Sequence, residues 1–116
     1  IKYRYLIMND KIQATIKNVV ENNDVVLFMK GTKETPQCGF SNAVVNTLSF
    51  MNVDFKDVNV LDDDKLREGI KIFTDWPTIP QLYVKGEFVG GCDIIQDMYK
   101  SGELSQVLKL KNISHS

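Results

Sequence analysis

The sequence predicts an α/β fold in which one four-stranded mixed sheet is flanked by helices on both faces. Two patterns carry the prediction. The apolar run "DVVLFM", residues 24–29, is followed by a segment with helical apolar spacing and then by a second strand pattern. That order favours a parallel pair joined by a right-handed crossover. The run of strand formers "QLYVKGEFV", residues 81–89, is split by Lys85-Gly86-Glu87 and supplies an antiparallel hairpin. At 116 residues the chain is long enough for one compact domain and short for two. A single domain over 1–116, with its core from about 11 to 110, is therefore expected.

Each element has its own signal. Residues 9–22 bring Ile12, Ile16, Val19 and Val20 onto one helical face, with Asn9 and Asp10 as candidate caps. The run 24–29 is too short for a helix and rich in β-branched residues, as a strand buried on both faces requires. After a loop at 31–37, Ala43, Val44, Thr47, Leu48 and Met51 recur at helical steps, so a helix runs from near Cys38 to about Asn52. "VDFKDVNV", residues 53–60, alternates imperfectly and reads as a strand. Residues 62–73 open on acidic side chains and carry Leu66, Ile70 and Phe73 on one face of a helix. Beyond the hairpin, Gly90-Gly91 breaks the pattern before two short helices at 93–100 and 103–110, divided by Ser101-Gly102. The polar tail from Lys111 is expected to fray.

Composition narrows the function. With 14 basic and 15 acidic residues the net charge is −1, which gives no overall electrostatic basis for a nucleic-acid or anionic-membrane partner. No apolar stretch approaches the roughly 20 residues that cross a bilayer. Two widely separated cysteines are not a disulfide framework, so a reducing compartment is expected. The sequon Asn112-Ile113-Ser114 reads as a chance match in a polar tail. The opening residue is Ile1, which reads as a trimmed product, so the absence of a targeting segment here does not exclude organelle import. Two distant cysteines and His115 do not assemble the four ligands of a closed zinc site.

Cys38 carries the chemistry. A cysteine in the first turn of a helix faces free N–H groups and the positive end of the backbone dipole, both of which favour thiolate. Lys30 and Lys33, in the preceding loop, can add to that field or hold an anionic ligand. The alternative is a Cys38 that is only a small buried apolar residue. Ser41 stands where a Cys-x-x-Cys pair has its second thiol, so thiol exchange would need glutathione or Cys92 as the other sulfur. Cys92 itself reads more naturally as structural, since "VGGCDII" runs into an apolar helix. In "DWPTIPQ", residues 75–81, Pro80 suits the first position of a strand. A cis Ile79-Pro80 bond would leave the Ile79 main chain free for an extended peptide; the alternative is a plain rigid turn. Trp76 reads as core or pocket wall. The Gly90-Gly91 amides can approach a carboxylate, and Asp93 can meet an amino group or cap the helix.

"KGT", "PQCGFS", "WPTIPQLYV" and "VGGCDI" stand in the order and spacing of the monothiol, CGFS-type glutaredoxins, and the chain resembles the single-domain form of that family from about Lys11 to Leu110. "LDD" and "LREGIK" keep the same register, while Lys33, Glu34 and Thr35 form a variable-looking stretch. The resemblance implies a thioredoxin fold, a bound glutathione and a [2Fe-2S] cluster shared by two subunits. It places Cys38 as cluster ligand and catalytic thiol. Carried over by position, Lys30 and Arg67, with Lys71 nearby, meet the glycine carboxylate of glutathione. Ile79 pairs with the cysteinyl part ahead of a cis Pro80, and Cys92 and Asp93 hold the γ-glutamyl end.

The implied function is a glutathione-dependent carrier that receives [2Fe-2S] clusters from an assembly scaffold and passes them to acceptor apoproteins as a cluster-bound homodimer. The expected compartment is the mitochondrial matrix, with the cytosol or another organelle as alternatives. The alternative function is a monothiol oxidoreductase acting on glutathionylated proteins, with weak activity at most.

Overall fold

The structure, a computed structural model, describes residues 2–116, with side chains from Asp10 onward. The chain order is α1 (Lys2–Asn22), β1 (Val25–Met29), α2 (Gly39–Phe50), β2 (Lys56–Asn59), a 3-10 turn (Val60–Asp62), α3 (Asp64–Thr74), β3 (Gln81–Val84), β4 (Glu87–Gly90), α4 (Cys92–Ser101) and α5 (Glu103–Leu110). The sheet runs β2-β1-β3-β4, with β1 parallel to β2 and antiparallel to β3, and β3 antiparallel to β4. The mixed four-stranded sheet expected from the sequence is present.

All five residues of β1 are buried, because period-2 alternation sends them to two different cores. Val25, Leu27 and Met29 join Leu82 and Val84 of β3 under α2, α4 and α5. Val26 and Phe28 join Tyr83 under α1 and α3, where Ile16, Val20 and Ile70 close the second layer. A strand covered on both faces reads as a continuous apolar run, which is why "VVLFM" needed no alternation to be recognised.

Three boundaries depart from expectation. The first helix starts at Lys2, so Asn9 and Asp10 lie within it and do not cap it. Asn and Asp cost a helix interior only tenths of a kcal/mol, and they permit a start without compelling one. The strand at 53–60 shrinks to Lys56–Asn59, because Val53 belongs to the end of α2. There Asn52 takes a left-handed φ of 54° and the Val53 N–H donates back to Leu48 C=O at 2.9 Å. This closure satisfies helix-end carbonyls and returns an apolar residue to the core.

The tail repeats that device and is not frayed. Asn112 has φ 58°, the Ile113 N–H donates to Leu108 C=O at 2.8 Å, and Ile113 is buried. His115 is engaged by Ser105 Oγ at 3.0 Å and Ile113 C=O at 2.8 Å, and the Ser116 N–H donates to Met51 C=O at 2.8 Å. Ile113 thus joins the core beneath α2 and α5. Replacing Ile113 with Ala should lower stability by about 2 kcal/mol, through lost burial plus a cavity. Urea unfolding will show a lower midpoint at unchanged slope. An unchanged midpoint would mean that the tail contributes nothing.

Candidate functional site

The strand directions bring four chain segments to one end of the sheet: the exits of β1, β2 and β4 and the entry of β3. The loop after β1 is tight. Gly31 sits at φ 92°, where an added Cβ would lie 2.6 Å from both Thr35 O and Gln37 N. Asn59 Oδ1, at the end of β2, accepts from the Gly31 N–H at 2.9 Å, and Asp57 Oδ2 accepts from the Lys33 N–H at 2.8 Å. The Gln37 N–H returns to Lys30 C=O at 2.9 Å. The variable-looking stretch at 33–35 is therefore a pinned turn that delivers the chain to Cys38.

Cys38 is the N-cap of α2, in extended conformation at φ −147° and ψ 135°. Its pKa is held below the ordinary cysteine value, first by the Ser41 amide and then, against the upward pull of burial, by the Phe40 amide, the Lys30 charge and the Ser41 hydroxyl. Sulfur makes no conventional capping bond here, so these amides act on the thiolate chiefly as aligned dipoles. Ser41 is fully buried, and its Oγ accepts from the Lys30 N–H at 3.1 Å. Accepting there leaves the hydroxyl proton available to the sulfur. Cys38 is half-buried and is not among the residues of either apolar core.

Lys33 does not serve the thiolate. Its Nζ donates to Phe55 C=O at 3.0 Å and lies 5.0 Å from the Phe55 ring centroid. Cys92 opens α4 on the other side of the site. Its pKa is raised by burial first, then by the charges of Asp93 and Cys38, so the two sulfurs are neighbours with opposed tendencies.

Between α2, α4 and the 75–80 turn lies a hollow of about 190 Å³, whose lining includes Phe40, Trp76, Ile79, Cys92 and Asp93. Phe40 at its rim is 64% exposed. The Ile79-Pro80 bond is cis. Among the described residues the Ile79 N–H and C=O have no hydrogen-bond partner. Asp93 stands in the first turn of α4, whose N-cap is Gly91 without a side-chain bond, so Asp93 does not cap that helix. Gly91 leaves room for this packing: a Cβ there would lie 3.2 Å from Pro80 O.

Cys38, Lys30, Arg67 and Lys71 do not line the hollow. Arg67 and Lys71 stand one turn apart on α3; Lys71 Nζ is 3.5 Å from Glu68 Oε1, while Arg67 Nε is buried without a partner. Sequence reasoning missed Ser41 as a contributor to the thiolate, having read it only as a missing cysteine. It also passed over Gln81, buried behind the 75–80 turn. The arrangement offers a thiol with a lowered pKa within range of the Lys30 charge, and a hollow lined by the cis-proline turn and the start of α4.

Since alkylation rate follows the thiolate fraction, a lowered pKa keeps Cys38 reactive to lower pH and a raised one delays Cys92. Iodoacetamide at neutral pH should label Cys38 before Cys92. Ser41→Ala should move the Cys38 rate profile to higher pH and slow labelling at neutral pH roughly two- to fivefold. Simultaneous labelling, or an unshifted profile, would contradict this assignment.

The glutaredoxin family model matches residues 25–89, which span β1, the cysteine loop, the cis-proline turn and the hairpin up to Val89. A probable monothiol glutaredoxin 2 of Rickettsia typhi is 56% identical over 102 residues, 88% of this chain and 92% of that protein. The mitochondrial monothiol glutaredoxin-5 of Lachancea kluyveri is 52% identical over 105 residues, 88% of this chain and 73% of that one. The solution structure of reduced poplar apo GrxS14 aligns at TM-score 0.77 and 51% identity, covering 86% of this chain and 92% of its own. The sheet order and helix layers are those of the thioredoxin fold, and the chain belongs to the monothiol glutaredoxins.

Proposed function

We propose that this chain is a glutathione-dependent carrier of [2Fe-2S] clusters, which takes its cargo from an assembly scaffold and delivers it to acceptor apoproteins. One observation carries the reading: Cys38 is an activated thiol, and a buried serine occupies the place of a resolving cysteine. A [2Fe-2S] cargo takes about four thiolates. Among the described residues no group of three His, Cys, Asp or Glu is placed to hold a metal. Cargo on Cys38 must therefore draw its remaining ligands from outside the chain. A second copy supplies its own Cys38 and two glutathiones supply the rest, so the homodimer belongs to the loaded state.

The unpaired groups at the site fit glutathione, which carries two carboxylates, an ammonium and a thiol. Arg67 Nε lacks a partner, the Ile79 main chain is free, and the first turn of α4 has no side-chain cap. In this reading Lys30 and Arg67, assisted by Lys71, hold the glycine carboxylate, and Ile79 pairs with the cysteinyl backbone. The amides of Cys92 and Asp93 take the γ-glutamyl carboxylate, and the exposed Asp93 carboxylate takes its ammonium. Bound glutathione supplies an exchangeable thiolate.

The balanced net charge favours neither nucleic acid nor an anionic membrane as partner, and no described helix is long and apolar enough to cross a membrane. The likeness to the mitochondrial relative supports the mitochondrial matrix as the proposed compartment, although other relatives carry chloroplastic or bacterial names.

The proximity of Cys92 favours a second reading, reduction of glutathionylated proteins. The Cys38 thiolate would attack the glutathione sulfur and expel the protein thiolate, forming a Cys38–glutathione disulfide. A second glutathione thiolate, or that of Cys92, would then displace Cys38, yielding glutathione disulfide or a Cys92–glutathione disulfide.

Anaerobic reconstitution with iron, sulfide and glutathione separates the two readings. Wild-type protein should develop sulfide-to-iron absorption, and Cys38→Ser should not. Ser41→Cys should lose cluster yield after oxidation, as a disulfide closes on Cys38. Failure of wild-type protein to exceed Cys38→Ser would sink the carrier reading, and robust Cys38-dependent turnover of a glutathionylated peptide would favour the oxidoreductase.

A further inference from the structure

We propose that Gln81 is a positioning residue that aims the Ile79 N–H at the cysteinyl backbone of glutathione. The inference rests on the glutathione-binding reading of the site. Gln81 is the first residue of β3 and is fully buried. Its Nε2 donates to Trp76 C=O at 3.2 Å and to Thr78 C=O at 3.1 Å. Its Oε1 accepts from the Tyr83 hydroxyl at 3.1 Å and lies 3.0 Å from the Thr74 hydroxyl, whose single proton is shared with Ile70 C=O at 2.8 Å. The two carbonyls can be met only by N–H groups, which fixes the amide orientation. Both N–H groups of the side chain are then committed to the turn.

The consequence lies in the peptide plane. The only cis bond of the described chain is Ile79-Pro80, so the Thr78–Ile79 peptide is trans. In a trans peptide C=O and N–H point in opposite directions. Gln81 turns the Thr78 carbonyl inward and thereby turns the Ile79 N–H outward, where it has no protein partner. The bond to Trp76 C=O anchors the start of the same turn, whose indole packs on Phe88 at 5.7 Å in the wall of the hollow. Removing the amide frees two inward carbonyls, and the plane carrying the Ile79 N–H can then rotate. Tyr83 touches only the acceptor side, so its loss leaves both carbonyl bonds in place.

The test titrates reduced glutathione anaerobically into wild type, Gln81→Met and Tyr83→Phe, with the Ile79 N–H order parameter, Cys38 alkylation and melting temperature measured in parallel. Gln81→Met should weaken glutathione on the order of tenfold and lower the Ile79 N–H order parameter, with Cys38 alkylation unchanged. Tyr83→Phe should weaken it by less than about threefold even where its melting temperature falls comparably. Should Gln81→Met fail to fold, Gln81→Glu, whose buried carboxyl has at most one proton for the two carbonyls, should show part of that loss. Wild-type affinity in either folded Gln81 variant, or losses that track melting temperature in all variants, would overturn the inference. If wild-type protein itself binds no glutathione, the functional reading fails, and an unchanged Ile79 N–H order parameter in the Gln81 variants would then overturn the positioning role as well.

Discussion

The buried Ser41 hydroxyl, set where the chain passes from β1 into α2, is the contact on which the site depends. It accepts the Lys30 N–H, which ties the end of the central strand to the first turn of the helix. The same hydroxyl adds, after the Ser41 and Phe40 amides and the Lys30 charge, to the lowering of the Cys38 pKa. A thiol at position 41 would lose that strong acceptor and place a competing nucleophile within reach. One side chain therefore fastens the scaffold, supports the thiolate and keeps it single.

The surrounding frame holds this arrangement by helix ends as much as by the sheet. α2, α3 and α5 close in the same way, with Asn52, Asp75 or Asn112 in left-handed conformation and the next N–H returning to the last turn. At α3 the returned residue is Trp76, so the closure that ends the helix also places the indole in the wall of the hollow. Gln96 of α4 reaches Thr47 Oγ1 at 2.7 Å and Ala43 C=O at 3.3 Å, joining the helix of Cys92 to that of Cys38. The aromatic series Phe28, Tyr83, Phe88 and Trp76 links the second core to the site.

Much of this was legible in the sequence, where the information was local. The apolar run of β1, the glycine hairpin and a cysteine at a helix start are written in neighbouring residues. The four sequence blocks that resemble glutaredoxins lie around the site. Less legible were choices between competing local and tertiary partners. Lys33 had the thiolate in sequence range, but the fold offered it the Phe55 carbonyl and ring. Asp93 had capping chemistry, but the N-cap of α4 lies two residues earlier, at Gly91. The polar tail concealed one buried isoleucine, although "NI" after the last helix repeats the pattern of "NV" after α2. Gln81 lay unread inside an apolar strand because its four partners come together only in the folded chain.

A lone activated thiol per chain has a stoichiometric consequence that a dithiol site does not. In the proposed carrier function, cargo that requires four thiolates and uses only Cys38 of each chain joins two chains and takes half its ligands from a small exchangeable thiol. Native mass spectrometry of the anaerobically loaded protein measures this directly. The account predicts two chains, two irons, two sulfides and two glutathiones in one species, with chains separating as glutathione is removed. A cluster retained by a single chain, or by two chains without glutathione, would contradict it.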